Sequence, residues 1–299
     1  MDYKKYISYL IYLFLNLITH LIIRQTVYDF SFRFSFSSTY YNILTLLSIS
    51  SMLLLIKAKQ DPGELEINSK GILERQIALT DPSIKLKFTP LMIMKLMPCN
   101  GCKYCKISEL PLRCVHCKRC QKCIKTYDHH CYLIGNCLGE NNHLVFVLFV
   151  FSQNITFILA FFGLFQRLSK SGTGMKFLIF GYLLTFGFIV CIFGIYFVFH
   201  TYLILTNQTV YEIFHKDQCP YIKIFKEERM KIYMQRGIEI LSNYSFHPFD
   251  SGLRRNFGYA FYKLFHPLES INWEEIYFEN LKSNNVEYDF CDEQLLSTI

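Results

Sequence analysis

The chain has 299 residues, of which 52% are hydrophobic and 17% aromatic, with twelve cysteines and a formal net charge of +7. Such a composition fits either a large globular domain or a small membrane protein, and the distribution of apolar residues decides between them. That distribution is blocky, so the positive charge reads as membrane topology and loop chemistry, not as the nucleic-acid affinity it would suggest in a soluble protein.

Four segments, Tyr6 to Ile23, Tyr40 to Ile56, His143 to Phe165 and Phe177 to Leu205, contain no Lys, Arg, Asp or Glu. Each runs to roughly the 17–25 residues that a helix needs to cross the hydrocarbon layer. The chain therefore reads as an all-α polytopic membrane protein with four transmembrane helices. Polar groups inside these segments, among them Asn16, His20, Gln153, Asn154 and His200, are few enough to be satisfied by neighbouring helices. Lys4 and Lys5 also permit a cleaved signal peptide, but no A-x-A-like site follows and no alanine precedes Ala58. Buried core helices of a soluble protein are the alternative for the other segments, and four such runs on one chain argue against it.

Loops rich in Lys and Arg stay on the cytoplasmic side. The stretch from Lys57 to Asn142 holds fourteen of them, against two between Arg24 and Thr39 and three between Arg167 and Lys176. The central loop is thus expected to be cytosolic, and four spans put both termini on that side. The expected division is 1–57 for the first two helices and a short lumenal loop, 58–142 for the central loop, 143–205 for the second pair, and 206–299 for a cytosolic tail. Asp61-Pro62-Gly63 is a strong turn signal after the second span, and Asp81-Pro82 is another.

Nine of the twelve cysteines fall between Cys99 and Cys137, inside a cysteine-rich domain at 99–142. Cytosolic thiols are kept reduced, so clustered cysteines there read as metal ligands or catalysts and not as disulfides. Zinc sites use ligands two residues apart, because one tight turn then aims two side chains at one ion, about 2.3 Å from each sulfur. Cys102/Cys105, Cys117/Cys120 and Cys120/Cys123 have that spacing. Eight ligands make two tetrahedral sites, drawn from Cys102, Cys105, Cys117, Cys120, Cys123, Cys137 and two of the three histidines His116, His129 and His130. A DNA-reading zinc finger would carry a long helix between its Cys and His pairs, which this membrane-tethered stretch lacks.

Cys131 is left over. It follows Asp128-His129-His130, and a free thiol beside an Asp-His pair can be made nucleophilic, the carboxylate orienting the imidazole that takes the thiol proton. A redundant ninth thiol is the alternative. In the tail, the composition from Asn207 becomes mixed polar and aromatic, with short helices expected at Tyr221 to Leu241 and Ile271 to Leu281.

These residues resemble the DHHC family of protein S-acyltransferases, with Asp128-His129-His130-Cys131 as the name-giving tetrapeptide. Asp61-Pro62-Gly63 looks like its DPG motif and Asn136-Cys137-x-Gly139-x2-Asn142-x3-Phe146 like the stretch entering the third span. Thr209-Val210-Tyr211-Glu212 resembles its TTxE motif, and Pro248-Phe249-Asp250-x-Gly252-x3-Asn256 its C-terminal motif. The resemblance implies one zinc on Cys102, Cys105, His116 and Cys123, and a second on Cys117, Cys120, His130 and Cys137. It makes Cys131 the acyl-accepting nucleophile, His129 its general base and Asp128 the residue orienting His129, with Glu212 and Asn256 tying the tail to the rest. Four departures stand out: Tyr132-Leu133 replaces Pro-Trp, Val210 replaces the second Thr of TTxE, the spacing from Cys105 to His116-Cys117 is one residue longer, and Cys99 makes a competing pair with Cys102.

By the same resemblance the chain is expected to move a palmitoyl-like acyl group from acyl-CoA, with palmitoyl-CoA as co-substrate, to cytosolic cysteines of membrane-associated proteins. The acyl chain would lie among the helices. Lys103, Lys106, Lys118, Arg119, Lys122 and Lys125 would either receive CoA phosphates or compensate the charge of the zinc thiolates. The expected partners are acyl-CoA, those protein substrates and the lipid bilayer, with no nucleic acid. The expected location is the endomembrane system, ER or Golgi, with the active site cytosolic. A catalytically inactive zinc-stabilised scaffold of the same fold is the alternative, and a transporter would be expected to carry paired ionisable residues in its spans.

Overall fold

The computed structural model describes residues 36–65, 101–107, 110–168, 171–236 and 247–282, with seven isolated positions between 10 and 21. Among the described residues, three helices are long and apolar enough to cross a membrane: α1, Phe36–Ala58, α2, His143–Leu168, and α3, Thr173–Leu205. They overrun the apolar blocks by a few residues at their outer ends, since helical hydrogen bonding continues past the hydrocarbon edge, where Lys176 and Arg167 can keep their charges in water. The first expected span lies largely outside the described residues. Its described positions are helical, and the Tyr12 hydroxyl donates to Gln153 Oε1 at 2.7 Å, where Ser51 Oγ also donates at 2.8 Å. Gln153, fully buried on α2, is thus satisfied by neighbouring segments.

Close packing holds the bundle, because lipid tails leave apolar side chains little to gain by leaving them. Leu44 of α1, Phe157, Ala160 and Leu164 of α2, and Ile179, Leu183 and Phe186 of α3 form one buried cluster. A second cluster at the other end joins Leu55 and Ala58 to Val145, Phe146, Phe149 and Val150, and takes in Cys131, Ile134 and Leu138 from the cysteine-rich region.

That region is not wholly without regular structure. Two antiparallel hairpins occur in it: β1, Val115–Cys117, pairs with β2, Lys122–Ile124, and β3, His129–Cys131, pairs with β4, Asn136–Leu138. The all-α reading is refined accordingly: the described residues are mostly helical, with four short strands among them. Strands of three residues leave no alternation long enough to read from sequence.

Polar side chains fasten the hairpins to the helices. Asn142 Nδ2 donates to the carbonyls of Ala58, at the end of α1, and Cys137, at 2.8 and 2.9 Å. Asn136 Nδ2 donates to those of Lys59 and Gln60, both at 2.9 Å. In the Asp61-Pro62-Gly63 turn, Asp61 Oδ1 accepts from the amides of Gly63 and Glu64 at 2.9 and 2.8 Å. Gly63 has φ of 93°, and its carbonyl accepts from Lys125 N at 2.9 Å.

The tail runs through α4, Val210–Phe214, a 3-10 turn at Lys216–Gln218, α5, Pro220–Arg236, α6, Leu253–Phe265, and α7, Trp273–Lys282. The expected helices at Tyr221 to Leu241 and Ile271 to Leu281 correspond to α5 and α7, with residues 237–241 outside the described set. Helix α6 was not anticipated. Phe249, Tyr221, Phe225, Trp273 and Tyr277 form the tail's own core together with Leu112. Arg113 lies over the rings of Phe249 and Trp273, 4.4 and 4.5 Å from their centroids.

Candidate functional site

The cysteine-rich region builds the same small unit twice. Cys102-x2-Cys105 and Cys117-x2-Cys120 are each followed by a residue in the left-handed region, Lys106 at φ 55° and Gln121 at φ 56°. The tight turn lets both sulfurs face one point. Each hairpin then sets a histidine opposite a cysteine, His116 across from Cys123 and His130 across from Cys137. The common His-x6-Cys spacing was present in the sequence but is visible as a repeat only once the hairpins are known.

Two sets of four donors result, Cys102, Cys105, His116 and Cys123, and Cys117, Cys120, His130 and Cys137, and each could hold a metal ion. These are the two sets that the family resemblance implied. Their spacing suits zinc, whose tetrahedral donors lie about 3.3–3.8 Å apart for bonds of about 2.0–2.3 Å. His116 Nδ1 is 3.4 Å from Cys105 Sγ and 3.8 Å from Cys123 Sγ. His130 Nδ1 is 3.8, 3.3 and 3.7 Å from the sulfurs of Cys117, Cys120 and Cys137. The thiols divide protons unevenly: hydrogen bonds from Cys120 and Cys137 push Cys117 far down, while bonds to Cys117 and Cys120 push Cys137 far up. A thiolate crowded by thiols is a natural ligand for a cation. Cys114, unassigned from sequence, is buried beside Cys102 and Cys123, whereas Cys99 lies outside the described residues.

Alternation along β3 sends His130 to one face and His129 and Cys131 to the other, because successive side chains leave a strand on opposite faces. His130 turns toward Cys117, Cys120 and Cys137. Cys131 is buried against Val145, Phe146 and Phe149 of the first turns of α2.

Asp128, fully buried, stands behind His129: its Oδ2 accepts from His129 Nδ1 at 2.7 Å and its Oδ1 accepts from the Val210 amide at 2.7 Å. The Val210 contribution is a backbone N–H, which any residue but proline would supply there. Burial pushes the Asp128 carboxyl up, but the imidazoles of His143, His129 and His200 outweigh it and hold the group at about 2. Burial would lower His129, yet its bonds to Asp128 and Cys131 raise it to about 10. The result is an imidazole of high proton affinity on the same strand face as a thiol. His200 of α3 joins this group, its donor atoms close enough to those of Asp128 and His129 to share one ion. The sequence marked His200 only as a polar residue inside an apolar segment, and its approach to Asp128 depends on the helix register.

Residues 96–217 match the family model for the DHHC palmitoyltransferase domain. Palmitoyltransferase ZDHHC12 of Homo sapiens is 30% identical over 228 residues, which cover 72% of this chain and 72% of that protein. The chain belongs to the DHHC palmitoyltransferase family. ZDHHC12 of Mus musculus is 31% identical over 46% of each chain. ZDHHC-type palmitoyltransferase 7 of Dictyostelium discoideum is 34% identical over 115 residues, a stretch that spans only 25% of that protein.

With the family known, the Tyr132-Leu133 departure has a local description. Tyr132 is 64% exposed, its ring under the Arg119 guanidinium at 4.5 Å and edge-on to His130, while Leu133 packs on the cluster that holds Cys131. Several of the basic residues weighed for phosphate are engaged within the chain: Arg119 in this contact, Lys122 with Glu64, and Lys125 with Ser270 Oγ at 2.8 Å.

The tail is locked to this region. Thr209 and Glu212 form a capping box at the start of α4, and the Glu212 carboxylate accepts two bonds from Arg113, both 2.9 Å. Asn256 Nδ2 donates to the Leu205 carbonyl at the end of α3, at 2.7 Å.

Proposed function

We propose that the chain is a protein S-acyltransferase that moves a palmitoyl-like acyl group from acyl-CoA to cysteine thiols of membrane-associated proteins, through an acyl-enzyme on Cys131. The observation that carries this reading is the arrangement at β3, with Asp128 hydrogen-bonded to His129, Cys131 on the same strand face as His129, and His130 turned to the metal-binding side.

In the first half-reaction His129 takes the proton of the Cys131 thiol, and the sulfur adds to the acyl carbonyl. The carbon–sulfur bond to CoA breaks, and the departing CoA thiolate takes the proton from His129. In the second half the acceptor thiol gives its proton to His129, its sulfur attacks the acyl carbon, and the bond to Cys131 breaks, returning the proton to Cys131. One thioester replaces another at nearly equal energy, so what the protein must supply is thiolate formation and alignment. Asp128 keeps His129 oriented through Nδ1, leaving the other ring nitrogen for the thiol.

Cys102, Cys105, His116 and Cys123 would hold one zinc ion, and Cys117, Cys120, His130 and Cys137 a second. Bound there, the ions would cross-link turns too small to have a packed core. His130 would then pin the backbone beside Cys131. The position of Cys131 against the first turns of α2 suits a donor whose acyl chain belongs in the bilayer and whose CoA head belongs in water. The excess of Lys and Arg in the central loop favours a cytosolic active site, in ER or Golgi membranes.

The test is to load the detergent-purified, zinc-replete protein with labelled palmitoyl-CoA, remove unbound donor, and add a cysteine peptide. Hydroxylamine-sensitive label on the wild type, absent in Cys131→Ser and passing to the peptide without fresh donor, is the expected result. A folded chain that takes no label would support an inactive scaffold instead.

A further inference from the structure

Two histidines from the membrane helices meet the candidate catalytic group from behind. His200 of α3 is 2% exposed, and its Nδ1 lies 3.0 Å from Nε2 of His143, the first residue of α2. The same Nδ1 is 3.9 Å from Asp128 Oδ2, and the rings of His200 and His129 are 5.7 Å apart between centroids. The rings of Phe146, Tyr196 and Phe199 frame it. An imidazole among aromatic side chains near the end of a long apolar helix is costly to keep unless its polar atoms are used.

We propose that His200, held by His143, is a positioning residue for acyl transfer, fixing the Asp128 carboxylate and the His129 ring from the membrane side. A carboxylate offers about four acceptor sites. In Asp128 one oxygen takes the Val210 amide and the other takes His129, and the open side of that second oxygen faces His200. With the proton on Nδ1, His200 donates to His143 Nε2, and the same nitrogen stays 3.9 Å from Asp128 Oδ2. The His200 ring also closes the space into which the His129 ring could swing. A third metal ion on Asp128, His129 and His200 is a weaker reading, since the first two already satisfy each other and the sulfur-rich sets lie on the opposite face of β3. Through this pair, movement of α2 against α3 would be felt at the reacting thiol.

This rests on the acyltransferase reading, and the experiment separates the two. Single-turnover acylation by labelled palmitoyl-CoA is measured for wild type, His200→Phe, His200→Asn and His200→Gln, with zinc content and the donor concentration giving half the maximal rate. The amide nitrogen of Asn can stand where Nδ1 stands, and that of Gln where Nε2 stands. The expected result is a rate about ten- to a hundredfold lower in His200→Phe at unchanged half-saturation and zinc content, most of it recovered by Asn and not by Gln. His143→Gln, whose amide oxygen can replace the accepting Nε2, should retain more activity than His143→Leu. Wild type that labels while His200→Phe labels equally fast overturns the inference alone. So does an equal loss in Asn, Gln and Phe, or a loss that follows zinc. Wild type that takes no label removes the underlying reading.

Discussion

Asp128 carries a buried negative charge on two short hydrogen bonds, one from a neighbouring side chain and one from a backbone amide of α4. The second comes from the main chain, so it does not depend on the Val210 side chain. His247 shows the opposite treatment of charge: it is buried near Glu212 and Arg113, and burial pushes its pKa down to about 4 against the pull of Glu212. The unfolded chain, with an ordinary value of 6.5, therefore binds a proton that the folded chain does not. Stability is full above that value and falls as pH drops from 6.5 toward 4. Thermal unfolding of wild type and His247→Gln should show a gap that narrows or reverses over this window, and a constant gap would sink the idea.

At the scale of elements, the Asp61-Pro62-Gly63 turn and the second hairpin meet closely at Gly139. A Cβ on Gly139 would meet the Pro62 carbonyl oxygen at 2.4 Å, Ile124 Cγ2 at 2.6 Å and the Lys125 carbonyl oxygen at 2.8 Å. Backbone atoms cannot yield as a side chain tip can, so Gly139→Ala is expected to cost about 1–3 kcal/mol, read as a lower unfolding midpoint with zinc present. No change would mean that the turn and the hairpin shift freely. Helices α1, α2 and α3 were legible because bilayer thickness imposes a length and forbids charge. The candidate group Asp128, His129 and Cys131 was legible because its members fall within four consecutive residues, and strand alternation sorts His130 from His129 and Cys131. The hairpins, α6 and the approach of His200 were not: three-residue strands have no measurable period, α6 buries Asn256 and Lys263 while exposing Leu253 and Phe265, and contact between α3 and β3 depends on tertiary register.

For the whole molecule, the two donor sets are interleaved along the chain, so each proposed zinc would close a loop that contains ligands of the other. Cys105→Ser and Cys120→Ser should each lower zinc from two ions per chain toward one, measured by elemental analysis of the purified protein, and chelation should unfold the 101–142 region first. Full zinc retention in both variants would contradict the ligand sets. Buried polar ties such as Arg113 to Glu212 and Lys263 to Glu140 connect the tail with this region, so its loss should loosen the tail as well.

The acyl-enzyme is the species on which the functional reading stands. Mass spectrometry of the intact, zinc-replete protein after brief exposure to palmitoyl-CoA, followed by peptide mapping, tests it most directly. One palmitoyl adduct, located on Cys131 and removed by neutral hydroxylamine, is expected. An adduct confined to another cysteine, or none on a folded chain, would contradict it.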